Sequence, residues 1–240
     1  MIKNALQYII NLSAPTIHEI HGETYSDKAL HRITHNPKAD SLKLNTLSSL
    51  IEYIKSGVDG VGEETRMIIH IQSPTRVVVC SSLDNDRERE YLCEVNAPIP
   101  SFNFGTFIDH ETFCINLQSK FIDTLDRALL LKFAGTVESG SVAEYGDDGV
   151  TQKATVKTGI ASKEEALVPS PAELMPFRTF VEVEQPVSSF IFRMKQDKYN
   201  GIQCALFEAD GGAWKNSAMI AIKKYLADEL SEFKNFVIIS

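Results

Sequence analysis

The chain has 240 residues, 43% of them apolar, enough to bury a sizeable core without disulfide or metal staples; this fits one elaborated domain over 1–240, with a softer division into 1–136 and 137–240. Its 32 acidic and 24 basic residues give a formal net charge of -8 with no long run of one sign, which gives no support for wrapping duplex DNA, although a local basic groove stays open. Cys80, Cys93, Cys114 and Cys204 are scattered with no C-x-x-C pair, which excludes a disulfide framework and a zinc ribbon and makes them reduced core residues.

The opening "MIKNALQYIINLS" predicts a helix over 1–13 with Leu6, Ile9 and Ile10 on one side, stopping before Pro15. It is too short and too polar to span a membrane, and no small-residue cleavage site follows, so a cytoplasmic protein without a membrane partner is expected. Residues 16–35 space their apolar residues widely, as short strands or an exposed hairpin do. In "LNTLSSLIEYIKSG" the repeat of Leu47, Leu50, Ile51, Ile54 and Val58 predicts a helix, capped by Asn45 and closed by Gly57.

The period then changes to two. "RMIIHIQ", "TRVVVCSSL" and "EREYLCEV" are β-rich runs divided by Ser73-Pro74 and by 84–86, an antiparallel meander in which Tyr91, Cys93 and Val95 share the buried face. From Asp109 a helix pair follows, with stripes Phe113, Leu117, Phe121 and, after Thr124, Leu125, Leu129, Phe133. "SVAEY" and "VTQKATVKTGI" flank the tight-turn signal at 146–149, and "SKEEALVPSPAELMP" reads as a loop with three prolines. "FRTFVEVEQ", "SSFIFRMK" and "IQCALFEA" are strands at hairpin spacing; a helix over about 213–233 and a short strand, "FVIIS", close the chain. The sum is α+β, mostly antiparallel sheet with helices packed on one side.

Several chemistries lack their residues. "GVDGVGEETR" has neither the G-x-G-x-x-G order nor a Walker lysine, and there is no G-x-S-x-G elbow. His18, His21, His31 and His35 lie within eighteen residues, but zinc needs three or four donors converging at about 2 Å, and a spacing of three on a strand points His18 and His21 to opposite faces. A solvated set of histidines is the better reading, and His70 is expected as a hydrogen-bonded core or interface histidine.

Alternation in "FRTFVEVEQ" places Arg178, Phe180, Glu182 and Glu184 on one face, with the two glutamates roughly 7 Å apart. Glu208 and Asp210 end a later strand. Converging carboxylates of this kind hold Mg²⁺ or Mn²⁺ in phosphodiesterases and nucleases; the plainer alternative is a wet sheet face with cross-strand ion pairs from Arg178, Arg193 and Lys195, and it is preferred. Phe180, Tyr199 and Trp214 beside Arg178, Arg193 and Lys195 make a candidate single-stranded nucleic-acid surface. In "ALFEADGGAWKNSAMIAIKKYL" the glycine pair after Asp210 serves the strand-to-helix turn, and Trp214 is expected to pack onto the sheet as the anchor of the last helix.

The segments "DDGVTQKATVKTGI", "LMPFRTFVEVEQPVSSFIFRM" and "ALFEADGGAWKNSAMIAIKKYL", preceded by "LNTLSSLIEYI", resemble the uncharacterised phage and prophage family that includes the YfdQ-like proteins. The likeness runs from about Leu44 to Ile239 and is strongest after Asp147. It implies an origin in phage or prophage genomes, among recombination and replication genes, and carries no established activity or catalytic residue. With no catalytic motif in the chain, the expectation is a self-associating accessory factor in phage DNA metabolism or host-defence interaction, in the cytoplasm of an infected or lysogenic bacterium. Nucleic acid or a host protein is its candidate partner, and oligomerisation would cover strand edges.

Overall fold

A computed structural model describes residues 2–29, 38–60, 66–84, 86–139, 141–147, 152–158, 162–167, 171–197, 199 and 201–240. They divide into two compact units, 1–39 and 40–240. The first unit contains helix α1 (Ile2–Ser13) and a hairpin of β1 (Ile17–Ile20) and β2 (Glu23–Ser26). The hairpin turns at His21 and Gly22, both with positive φ, and its base is closed by the Thr16 amide donating to Asp27 Oδ1 at 2.7 Å. Leu6, Ile9 and Ile10 are exposed on α1.

The second unit begins with β3 (Leu42–Leu44) and α2 (Leu47–Ser56). Thr46, and not Asn45, caps α2, because its Oγ1 is the atom that accepts from the Ser49 amide at 3.1 Å. Gly57 ends the helix in the left-handed region at φ 64°, which leaves Val58 beyond the last turn and exposed. The meander follows as β4 (Met67–Ser73), β5 (Arg76–Ser81) and β6 (Tyr91–Asn96). Cys93 and Val95 are buried as expected, but Tyr91 is 54% exposed, lying beside the register shift in the β5–β6 ladder.

After β7 (Ile108–Asp109) come α3 (His110–Lys120) and α4 (Leu125–Ser139), then β8 (Ser141–Asp147), β9 (Gln152–Thr158) and β10 (Ser162–Leu167), which form a three-stranded antiparallel sheet. The expected 141–160 hairpin is therefore present in its strands, while its turn lies outside the described residues. The stretch expected as one loop contains two strands, β10 and β11 (Ala172–Leu174). The long hairpin of β12 (Ser188–Asp197) and β13 (Gly201–Glu208) leads into α5 (Ala213–Glu229), which ends at Leu230 and not near 233, and into β14 (Phe236–Ile239).

Two sheets carry the fold. In the larger, ordered β14-β4-β5-β6-β3, the antiparallel meander is extended at each edge by a parallel strand. Leu47, Leu50 and Ile54 of α2 and Ile222 and Leu226 of α5 share its core with Ile69, Ile71, Val77, Val79, Cys93 and Val95. The smaller sheet, β11-β12-β13-β7, is antiparallel throughout, and Phe113, Leu117, Leu130 and Phe133 of α3 and α4 pack with its Phe190, Phe192, Cys204 and Leu206. This second core runs across residue 136. Among the described side chains of α4, Leu130, Phe133 and Ala134 are buried, while Leu125 and Leu129 face out. The rotation is held by Arg127, whose Nη1 donates to the carbonyls of Leu117, Gln118 and Phe121 at the end of α3. No helix among the described residues is long and apolar enough to cross a membrane.

Candidate functional site

Residues 177–187 form a looped segment in place of the expected strand. The cause is Gln185, which is buried. Its Oε1 accepts from the Arg178 and Thr179 amides, and its Nε2 donates to the carbonyls of Thr179, Phe180 and Val183, so one side chain satisfies the groups a neighbouring strand would have used. Thr179 Oγ1 donates to the Pro74 carbonyl at 2.5 Å, and Phe180 and Val183 join the core of the larger sheet.

This loop brings Arg178 to the strand-to-helix joint. The guanidinium is buried, with Nη1 donating to Glu208 Oε1 at 3.0 Å and Nη2 to Ser188 Oγ. Ser188 Oγ donates in turn to Asp210 Oδ2 at 2.6 Å, and Asp210 Oδ1 accepts from the Gly212 amide at 2.9 Å. Gly211 and Gly212 have φ of 63° and 82°, the left-handed conformation that glycine adopts without a Cβ penalty. Burial lowers the Arg178 pKa to about 10, against the opposing pull of Glu208 and Asp210, so the group is a cation at neutral pH. Burial alone would raise the Asp210 pKa; hydrogen bonds from Ser188 and from the Gly212 and Trp214 amides outweigh it and leave it below the ordinary value.

Trp214 differs from expectation. It is half-buried, outside the core of the larger sheet, and its ring packs on Arg178, whose guanidinium carbon lies 4.0 Å from the ring centroid. It anchors α5 to the Arg178 node more than to the sheet.

The other candidate residues are dispersed. Glu182 accepts from Ser48 N and Oγ at 3.1 and 3.2 Å, placing its charge at the N-terminus of α2, and Glu184 is exposed. With no strand over 177–185, these two do not line up beside Glu208 and Asp210. Among the described residues, no three His, Cys, Asp or Glu side chains are grouped to hold a metal. His18 lies on β1 and His21 in the hairpin turn; His31 and His35 lie outside the described residues.

Of the stacking candidates, Phe180 is 1% exposed, because the Gln185 loop turns it inward, and Arg178 occupies one face of Trp214. Tyr199 is 89% exposed. Lys195 Nζ lies 4.4 Å from the centroid of the Phe107 ring, and Arg193 donates to the Phe192 carbonyl.

Two features escaped the sequence reading. One is a cavity of about 300 Å³ with Ile99, Phe102, Phe104, Lys120, Phe177 and Arg178 in its lining. Its one local signal is the aromatic cluster of "PIPSFNFGTF", set between prolines and a glycine. The other is the edge strand β14, hydrogen-bonded to β4 and to no other described strand, with Val237 and Ile239 48% and 42% exposed. Comparison of the chain with protein-family models, curated proteins and solved structures finds no match.

Proposed function

We propose that this is a non-catalytic, self-associating protein, a homodimer joined through β14, that serves as an accessory factor in phage DNA metabolism or host-defence interaction. The observation that carries the reading is the outer edge of β14, with which no other described strand pairs. Its residues, Phe-Val-Ile-Ile, include none of the charges or prolines that keep edge strands apart. An antiparallel pair of identical strands about a two-fold axis is self-complementary, which makes a second copy the natural occupant. Phe236 and Ile238 face the core, so pairing would bring Val237 and Ile239 of both copies into one apolar row. Engagement of Glu182 by Ser48, and of Glu208 and Asp210 by Arg178 and Ser188, supports the non-catalytic half of the reading, and the phage setting rests on the family resemblance.

Light scattering at micromolar concentration should give a mass near twice 26.7 kDa, and Val237→Lys should give a folded monomer whose melting temperature, unlike that of the wild type, does not vary with protein concentration. A monomeric wild type would overturn the dimer. Hydrolysis of DNA by the purified protein with Mg²⁺ or Mn²⁺ would overturn the non-catalytic assignment.

A further inference from the structure

We propose that the cavity beside Arg178 binds a small aromatic carboxylate. Its volume, about 300 Å³, is at the lower end of the range for small-molecule sites and suits a ligand built on a single ring. Phe102, Phe104 and Phe177 contribute aromatic wall, with Ile99 beside them. The wall is held in place from behind: Phe102 and Phe104 lie 4.7 Å apart at 54°, and Phe104 stacks on Phe190 at 5.2 Å and 21°. Such rings receive a planar guest by offset or edge contact.

The polar lining has one sign. Lys120 and Arg178 are its charged members, and no Asp or Glu is among the lining residues. Lys120 Nζ donates to the Ser101 carbonyl at 2.6 Å and is in no ion pair among the described residues, which leaves N–H groups on an ammonium that carries three. Both Nη atoms of Arg178 are engaged and its Nε is enclosed by protein, so the guanidinium adds positive charge to the lining while the Lys120 ammonium supplies the N–H groups. These few remaining donors match the acceptor oxygens of one carboxylate, while the phenylalanine walls take the ring. A phosphate dianion would call for more donors than the lining offers.

Saturation-transfer NMR with benzoate, and with benzamide as the neutral molecule of the same shape, tests the assignment. Benzoate should show saturation transfer, and benzamide should bind about tenfold more weakly or less, because it lacks the charge that the two cations recognise. Lys120→Met should weaken benzoate by a similar factor, and Ile99→Trp, which fills the cavity, should abolish its binding. Lys120 is half-exposed, so its variant keeps the test open if the tryptophan disturbs folding. Absence of benzoate binding, equal binding of benzamide, or benzoate binding unchanged in folded Lys120→Met or Ile99→Trp protein would overturn the proposal.

Discussion

Arg178 is the residue on which the joint between β13 and α5 depends. A guanidinium can be buried when its donors are matched, and here Glu208 and Ser188 take Nη1 and Nη2 while Trp214 covers its face. Truncation would leave Glu208 and the Ser188–Asp210 pair without their cation. Because Glu208 is 39% exposed and water can solvate it, Arg178→Ala should cost about 3 kcal/mol, the low end for breaking a buried pair, read from the shift of a urea transition. Arg178→Lys should recover little of this, since one ammonium cannot reach both acceptors in the fixed fork geometry. The contact with Trp214 should appear as coupling: a double-mutant cycle of Arg178→Met and Trp214→Leu should give about 1–2 kcal/mol, and additive losses would show that the stacking contributes nothing.

At the scale of elements, the segment 177–187 is shaped by one amide side chain. Gln185→Leu keeps a similar volume and removes five hydrogen bonds, leaving the Arg178 and Thr179 amides and the carbonyls they share the loop with unpaired in a buried place. Each orphaned buried group costs about 1–3 kcal/mol, so the variant should be destabilised by more than about 3 kcal/mol, and amide exchange over 178–183 should accelerate. A melting temperature equal to wild type would mean that the loop is held without Gln185, by Phe180, Val183 and the Thr179–Pro74 hydrogen bond. Thr46→Ala tests a smaller device: losing the acceptor for the Ser49 amide should cost about 1 kcal/mol in thermal or urea unfolding.

For the whole molecule, acid is the informative variable. Glu94 receives hydrogen bonds from Lys43 and Asn96 and lies 3.0 Å from Arg76, and these partners lower its pKa from 4.5 to about 2. Asp109, which caps α3 through the Thr112 amide, and Asp210 are lowered as well. A carboxylate with a depressed folded-state pKa contributes stability that is present above its unfolded value and is lost as the pH falls, because the unfolded chain takes up the proton first. The urea midpoint should therefore fall steadily as the pH drops from 4.5 toward 2, and Glu94→Gln should flatten that fall. A midpoint independent of pH over this window would show that the Lys43–Glu94–Arg76 cluster on the larger sheet contributes no net stability.

The elements legible in the chain are those whose pattern is local. The helix of 47–56 shows its apolar spacing and closing glycine, the meander its period of two, and the hairpin of β12 and β13 its turn and its alternation of Phe190, Phe192 and Met194 against Arg193 and Lys195. From these the α+β class follows. Distance in sequence hid the rest. FRTFVEVEQ alternates like a strand, yet Gln185 folds back on it and Thr179 reaches Pro74, 105 residues away. The phase of α4 depends on Arg127 meeting the end of α3, and the edge strands β3 and β14 pair in parallel with partners that lie far along the chain. Glu182 serves a helix terminus 134 residues distant, and the aromatic cavity draws its walls from 99–104, 120 and 176–178. Periodicity records which face of an element is apolar, because burial selects it residue by residue. Which groups meet across the fold depends on how the elements pack, and no spacing along the chain encodes that.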